Sequence, residues 1–506
     1  MKRYLILILL QLIISLNLLA QYPPGVLNNL KISGPNRTEL EKAIAYFKKG
    51  KDIQKLQALY FLLGNMQLYS TSSYDWKDSS GNKIAFNELD YNSDRESAAA
   101  LAQLKTTHPQ MRMVPFTVSD LKTIKAIWLI DNINQAFEKW RGSSYHYIPF
   151  NSFCEYILPY RISVEPFQPW RGYYESHYKW FADIIKNQGL LTALKVLKAD
   201  QRSFFESTWG KESRDEPLPR LGAMQLIARK KGMCEDGVAF TIFSLRAQGV
   251  PCTQNIVPYW ATSTGGHFFT TVFDTKMKPI SYDQFGPNPI NPTLLREPGK
   301  VFRITFSAQA GTLASRMNIE MIPSGVLRAK NYVDVTASFW PVAHIKGQAF
   351  RIPVSKTIYA CVFNGLRWRP IWHAEMMGDA FTFSDMAKGA VYLPFVFENG
   401  RLENAGYPIA LGYNHQEELV PDKGHLKLIT LGEQEGYLRF KAGITYKLYY
   451  WDKKWILAGR QVAAPMGGPI SFLNVPSNAL YLLLPPQPIG KERPFMLSHE
   501  GNRVWL

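Results

Sequence analysis

The 506-residue sequence predicts an α+β protein with a helical N-terminal region, a core of mixed helices and strands, and two C-terminal β-domains. Three observations predict this class. Apolar residues recur at helical spacing before about residue 140, helical and strand patterns alternate from there to about residue 325, and short strand patterns with turn residues dominate beyond about residue 330. A chain of this length has room for several hydrophobic cores.

The composition is that of a folded, basic protein. Hydrophobic residues make up 46% and charged residues 20%, which excludes a disordered chain. The formal net charge of +17 favours anionic partners, such as acidic glycans, but says nothing about the fold. Neither zinc-finger spacing nor an RNA-binding signature occurs, so we expect no nucleic-acid partner.

Residues 1–20 have the pattern of a secretory signal peptide. Lys2 and Arg3 precede an apolar run that ends at Ala20. We therefore expect an exported protein, periplasmic or extracellular. No later apolar stretch approaches the roughly 18 residues that a membrane span needs, so no transmembrane anchor is expected after cleavage.

The region 21–140 is predicted to be a helical N-terminal domain. Thr38 and Glu41 have the spacing of a capping box, and apolar residues follow at helical intervals. A second helical pattern begins near Ile53, and a third covers about 120–137. The intervening stretch around residues 73–83 is polar and rich in turn residues.

The C-terminal third contains a hairpin signal and a repeat. Asn364-Gly365 lies between two strand patterns, as in a two-residue β-turn. A motif at 383–393 recurs at 472–482, 472 − 383 = 89 residues later. We therefore expect two similar sandwich-like β-domains, at 330–424 and 425–506. Four tryptophans of the associated hairpins could bind carbohydrate if exposed, but burial in small β-cores is the simpler expectation. They are Trp368, Trp372, Trp451 and Trp455.

Cys234 is the candidate nucleophile. It stands at the start of a predicted helix, where free N–H groups and the helix dipole favour a thiolate. The basic run 229–231 would act in the same direction if it folds near the sulfur; the alternative is that it is simply solvated. Only four cysteines occur, which is too few for a disulfide framework, although one bridge remains open.

His267 and Asp283 lie on two strand patterns joined by a polar turn. With that turn centred near residues 275–276, the two residues face each other across a hairpin to within one residue. A carboxylate beside an imidazole orients the ring and makes it a better base. Each residue alone would be an ordinary structural residue, but together with Cys234 they have the composition of a nucleophile–base–orienter set.

These residues resemble a known family. Gly232-x-Cys234-x-Asp236, the Leu245–Pro251 segment, Gly266-His267 at a strand start, and Asp283 at the end of the next strand are similar to the transglutaminase-like core of the papain-type cysteine enzymes. The close resemblance covers roughly 60 residues, within a predicted catalytic domain at 141–325. Upstream segments also resemble exported transglutaminase-like proteins of Bacteroidetes.

The resemblance implies a Cys-His-Asp site, with Cys234 as nucleophile, His267 as base and Asp283 as the group that orients His267. It also implies that the backbone N–H of Cys234 donates to the oxyanion, with the second donor unassigned. Phe269 replaces the family's common tryptophan, and Asp283 lies in Tyr-Asp-Gln instead of Asp-Pro-Thr. Both departures leave the substrate preference open.

The expected activity is acyl transfer from an amide or peptide carbonyl through a thioester, with hydrolysis favoured over cross-linking. Peptides, proteins or glycopeptides are the expected substrates. The alternative is a catalytically inactive scaffold that binds glycan or peptide at the cell surface. No metal or organic cofactor is indicated, since metal, phosphate-loop and serine-nucleophile motifs are absent from the sequence.

Overall fold

The computed structural model describes residues 22–208, 217–433, 439–464, 468–498 and 503–504. The predicted signal peptide, residues 1–20, lies outside this part of the chain. Within it, no helix combines the length and apolar character needed to cross a bilayer. The structure is 33% helical and 31% strand, with the helices concentrated before residue 250 and the strands after it, which confirms the α+β class.

The chain divides into two compact units. The first contains the N-terminal part to Gln254 together with Phe268–Pro292 and Ile304–Ala308. The second contains Asn255–His267, Thr293–Arg303 and the chain from Gln309 onward. Residues of the predicted catalytic domain, 141–325, are thus found in both units, and its boundaries stay a prediction.

The helices lie mainly in the first unit. They are α1 (Pro24–Ile32), α2 (Arg37–Lys49), α3 (Ile53–Asn65), α4 (Asp94–Thr107), α5 (Asp120–Thr123), α6 (Ala126–Gly142), α7 (Phe150–Tyr156), α8 (Arg171–His177), α9 (Lys179–Gln188), α10 (Leu190–Phe204), α11 (Ala223–Arg229), α12 (Cys234–Ala247) and α13 (Leu313–Arg316).

The N-terminal region contains a sheet that the helical prediction missed. Strands β1 (Ser70–Lys77), β2 (Lys83–Ile84) and β3 (Arg112–Ser119) pair in the order β2-β1-β3. The predicted capping box at Thr38 is also wrong, because α2 begins at Arg37 and Glu41 binds the Arg37 side chain at 2.7 Å. Polar strand residues such as Ser70–Asp75, only partly buried, give too weak an apolar alternation to be recognised in the sequence.

Short strands build the region between α10 and residue 335. Five of them form one sheet in the order β10-β9-β6-β7-β8. The strands are β4 (Glu206–Ser207), β5 (Lys231–Gly232), β6 (Cys252–Val257), β7 (His267–Phe273), β8 (Pro279–Tyr282), β9 (Phe302–Ile304) and β10 (Tyr332–Asp334).

The remaining strands follow one another to the C-terminus. They are β11 (Val342–Gln348), β12 (Thr357–Asn364), β13 (Arg367–Glu375), β14 (Ala380–Ala387), β15 (Ala390–Glu398), β16 (Arg401–Asn404), β17 (Ile409–Leu411), β18 (Gln416–Glu418), β19 (Asp422–Leu431), β20 (Thr445–Trp451), β21 (Trp455–Val462), β22 (Ile470–Ser477), β23 (Tyr481–Leu484), β24 (Met496–Leu497) and β25 (Arg503–Val504).

Strand pairing repeats within this C-terminal region. β11 pairs with β14 and β12 lies between β13 and β15; likewise β19 pairs with β22 and β20 lies between β21 and β23. The β12–β13 ladder shifts register after Ala360, and the β20–β21 ladder shifts after Leu448. Two segments that share the order of pairing and the position of a bulge have the same local build.

The repeated motif makes the same hydrogen bond twice. The Tyr392 hydroxyl donates to the Ala387 carbonyl oxygen at 2.7 Å, and the Tyr481 hydroxyl donates to that of Pro476 at 2.6 Å. Both tyrosines are buried. Each bond joins residues five apart, and the two tyrosines are 481 − 392 = 89 residues apart, the period read from the sequence.

The hairpin tryptophans pack inside the second unit. Trp451 is 5% exposed, and its ring centroid lies 5.5 Å from that of Trp368 and 5.0 Å from that of Trp455. Trp368, Trp372 and Trp455 are partly buried against the same hydrophobic cluster. This packing supports the core interpretation of the four indoles over exposed carbohydrate platforms.

Candidate functional site

Cys234 is the first residue of α12, as the sequence predicts. The carboxylate of Asp236, which is fully buried, accepts a hydrogen bond from the Met233 N–H at 2.9 Å and one from the Leu221 N–H at 3.3 Å. This cap fixes the entry into the helix, because it satisfies a backbone donor just before the first turn. The backbone that carries the Cys234 thiol is therefore firmly placed.

Gly232 is required by the same turn. A Cβ atom at this position would lie 2.6 Å from the Asp236 Cβ, which is closer than two carbon atoms can approach. The Gly-x-Cys-x-Asp spacing thus has a local explanation: the glycine leaves room for the capping aspartate, and the cysteine lies between them. The cap can form only when both residues are present.

The rest of α12 is buried on every side. All residues from Asp236 to Ala247 are buried, not only the apolar face predicted from Val238 and Ile242. Gly249, with φ of 73°, follows the helix in the left-handed conformation that ends it. A helix buried all round is a central core element, so Cys234 stands at the end of a rigid support.

The thiol of Cys234 is half-buried. Its Sγ donates a hydrogen bond to Oε2 of Glu235 at 3.3 Å. The other carboxylate oxygen of Glu235 pairs with Arg220 at 2.8 Å. Burial first, and then the negative charge of Glu235, raises the pKa of Cys234 to about 12. This direction contradicts the predicted thiolate, because burial and the neighbouring carboxylate both disfavour a negative charge on the sulfur.

The basic run before Cys234 pairs with acidic side chains elsewhere. Arg229 binds Glu88 at 2.6 Å, and Lys231 binds Asp94 at 3.0 Å. The Lys230 ammonium lies 4.9 Å from the centre of the Phe204 ring. The solvated interpretation is wrong for Arg229, whose side chain is only 9% exposed, but it holds for Lys230, which is exposed, and in part for Lys231, whose side chain is 42% exposed.

Asp283 directly follows β8 and is 8% exposed. Its Oδ1 accepts hydrogen bonds from the N–H groups of Phe285 and Gly286, at 3.0 and 3.2 Å. The Lys198 ammonium donates to the carbonyl oxygens of Gly286 and Pro287, the latter at 2.9 Å. The carboxylate and the loop that follows it are thus held from both sides.

His267 is the first residue of β7 and is half-buried. The ring of Trp260 lies nearly parallel to the imidazole, with 6.0 Å between centroids. A Cβ on the preceding Gly266 would lie 2.3 Å from the carbonyl oxygen of Val257, so this position requires glycine. The close backbone approach explains the Gly-His pair.

The register of the β7–β8 hairpin differs from the prediction. Thr270 pairs with Tyr282, so continuing the ladder brings Phe269, not His267, level with Asp283. The physical reason is the turn: Asp274 accepts hydrogen bonds from the N–H groups of Lys276 and Lys278, and Met277 has φ of 61°. These contacts define a five-residue loop, Asp274 to Lys278, whose centre is residue 276 and lies later than the predicted centre between residues 275 and 276.

Asn364 has a structural role beyond the turn in which the sequence predicts it. The β12–β13 turn is formed by Gly365 and Leu366, both with positive φ, and Asn364 is the last residue of β12. Its Nδ2, which carries two hydrogens, lies 2.7–2.9 Å from the carbonyl oxygens of Trp260, Ser263 and Gly265, so two of them share one hydrogen, and its Oδ1 accepts from the Gly265 N–H at 3.1 Å. Asn364 therefore fixes the loop that leads into β7.

The structure brings two of the three predicted residues into one compact unit. Cys234 and Asp283 belong to the first unit, and a Cβ on Gly237, one turn after Cys234, would clash with Phe285 and Gln284, which follow Asp283. His267 is grouped with the second unit, so the convergence of all three side chains stays a prediction.

Sequence reasoning missed Glu235, Lys198 and Gln284. Glu235 offered a direct signal, because an acid next to a cysteine opposes ionisation of the thiol.

All four cysteines are described and are free, so the disulfide left open by the sequence is absent. Among the residues described, no three His, Cys, Asp or Glu side chains form a cluster that could hold a metal ion.

The comparisons with known proteins add no family assignment. No family model matches the chain, and no curated protein matches it significantly.

Proposed function

We propose that the protein is an exported cysteine-dependent acyl-transfer enzyme with a transglutaminase-like core and two duplicated, sandwich-like β-domains. Cys234 attacks an amide or peptide carbonyl and forms a thioester, which water then hydrolyses in preference to transfer to an amine. The observation that carries the proposal is the rigid placement of a half-buried thiol at the start of a central helix, with the Asp283 loop packed against the next turn.

The raised pKa of Cys234 decides how the reaction starts. A thiol with a pKa of about 12 is almost fully protonated at neutral pH, so no preformed thiolate is available. In the proposed reaction His267 accepts the thiol proton as the sulfur attacks, and Asp283 steadies the resulting imidazolium. The proton then passes from His267 to the leaving amine, and the S–C bond replaces the C–N bond.

The substrates we propose are peptides, proteins or glycopeptides outside the cytoplasm. Water is abundant there, and no site for a second amine is indicated by the sequence. Carbohydrate binding by the β-domains is a weaker proposal, since the tryptophans that suggested it are largely packed together.

A second candidate is a non-catalytic scaffold that binds peptide or glycan. The hydrogen bond from the Cys234 thiol to Glu235, and the raised pKa that accompanies it, favour this candidate because they make the sulfur a poor nucleophile.

The two candidates are separated by acylation with p-nitrophenyl acetate. An enzyme should release p-nitrophenolate and acquire an acetyl group on Cys234, located by peptide mass spectrometry, and water should then remove it. Cys234→Ala should abolish the adduct, and His267→Ala should slow its formation by about 10²–10⁴-fold. Acetylation of Cys234 no faster than that of a thiol in the unfolded chain would refute the enzyme and leave the scaffold. Adding a fluorescent primary amine to wild type tests whether the acetyl group passes to water or to the amine.

A further inference from the structure

Gln284, the residue after Asp283, has a buried amide with unmet hydrogen bonds. The side chain is 3% exposed, and neither its Oε1 nor its Nε2 has a hydrogen-bond partner among the described residues. Leaving a buried amide unpaired destabilises the folded protein. A buried polar group left in this state requires an explanation, such as a bound molecule or a catalytic role.

The amide lies beside the first turn of α12. Its Nε2 is 2.7 Å from the point that a Cβ on Gly237 would occupy. Gly237 is three residues after Cys234, and Cβ positions three apart on a helix are about 5–6 Å from each other, so Nε2 lies within roughly 9 Å of the Cys234 Cβ. Side chains of a helix tilt toward its N-terminus, so this point is displaced from the Gly237 backbone toward the N-terminal end of α12.

The glycine at position 237 is needed for the close approach of Gln284 and Phe285 to α12. Glycine inside a helix lowers the stability of the helix relative to alanine. Any larger residue at this position would displace Gln284 and Phe285, whose Cζ lies 2.3 Å from the same Cβ point. The helix is therefore locally less stable at the position where the Gln284 amide packs against its first turn.

From this geometry we infer that Gln284 is the second oxyanion donor, a catalytic residue that acts together with the backbone N–H of Cys234. The inference rests on the proposed function. When the sulfur adds to a carbonyl carbon, the C=O bond becomes a C–O⁻ single bond, and an N–H group held in a dry site stabilises the charge as it develops. The amide needs no rearrangement, because no other described group competes for it.

Gln201 supplies a matched control. It is also 3% exposed with an unpaired Nε2, and together with Gln284 it lines a small cavity of about 10 Å³ beside Gly237. Its Oε1, however, accepts a hydrogen bond from Thr241 at 3.0 Å, so its side chain already has a structural partner. If the amides serve only to hold a buried water, replacing either glutamine should have a similar effect.

The test compares two reactions of the same sulfur. Acylation by p-nitrophenyl acetate passes through an oxyanion, whereas alkylation by iodoacetamide is a displacement without one. Gln284→Met should slow acylation about 10²–10³-fold and leave alkylation within about twofold of wild type. Gln201→Met should leave both rates close to wild type. Gln284→Leu, which is uncharged and also lacks the N–H donors, covers the case in which the methionine variant does not fold.

Each result has a definite meaning. Equal acylation of wild type and both Gln284 variants overturns the oxyanion assignment while leaving the enzyme intact. Parallel losses in Gln284→Met and Gln201→Met also overturn it, because they point to a structural role. Wild type acylated no faster than Cys234→Ala refutes the proposed function, and the inference falls with it.

Discussion

Removing the charge of Glu235 should make Cys234 more reactive. The carboxylate oxygen lies 3.3 Å from Sγ, and its negative charge opposes the formation of a second negative charge on sulfur. Glu235→Gln keeps the shape and removes that charge. The pKa of the thiol should therefore fall, and alkylation below that pKa should become faster.

The size of the effect follows from the geometry. Two unit charges about 4 Å apart near a protein surface interact by about 4 kcal/mol, or about three pKa units at 1.36 kcal/mol per unit. Arg220 binds the same carboxylate at 2.8 Å and offsets much of its charge, while burial, the larger cause, is unchanged. We therefore expect a decrease of about one unit, which gives about tenfold more thiolate. A less basic thiolate is a weaker nucleophile, so the net gain is about threefold.

The assay is the rate of iodoacetamide labelling of Cys234 at about pH 8, followed by peptide mass spectrometry. Arg220→Gln should change the rate in the opposite direction, because it leaves the charge of Glu235 uncompensated. Glu88→Gln is the matched control: the Glu88 side chain is 13% exposed, as is that of Glu235, and it pairs with Arg229 instead of lying beside the thiol. Slower labelling of Glu235→Gln, or equal changes in Glu235→Gln and Glu88→Gln, would refute the electrostatic reasoning.

Two further predictions concern stability. Lys198→Met removes the ammonium that binds the Gly286 and Pro287 carbonyl oxygens, and it should lower the free energy of unfolding by about 1–3 kcal/mol, measured by urea denaturation. Lys198→Arg keeps a positive charge and should lower it less. Equal stability of wild type and both variants would contradict a role of Lys198 in fixing the Asp283 loop. Tyr392→Phe and Tyr481→Phe each remove one hydroxyl donor, so each should cost about 0.5–1.5 kcal/mol. A large loss in one variant and none in the other would show that the two bonds are not equivalent.

The sequence predicted best what depends on local pattern. The helix after Cys234 and its end at Gly249 follow from apolar periodicity and from the conformational preference of glycine, and both are present. The hairpin at Asn364-Gly365 is also present, although the turn lies one residue later than predicted. Local signals fix where an element occurs more reliably than they fix its register.

What the sequence could not predict depends on residues distant along the chain. The basic run 229–231 had no visible partner until Glu88 and Asp94, more than a hundred residues earlier, were placed beside it. Strand β1 is polar and half-buried, and β3 has apolar residues but none that is fully buried, so neither strand shows a clear apolar alternation. Lys198 and Gln284 each gain significance only from a neighbour brought close by folding.

The hydrogen bonds that the Asn364 side chain makes limit how this protein can be divided into fragments. The loop they hold, Trp260 to Gly265, lies within the predicted catalytic domain, whereas Asn364 lies beyond its predicted end at residue 325. A recombinant fragment of residues 141–325 would contain the imidazole of His267 but lack the amide that anchors the path to it. Biochemical work should therefore begin with a protein that retains the C-terminal strands, since the first of the repeated segments serves as part of the scaffold around His267.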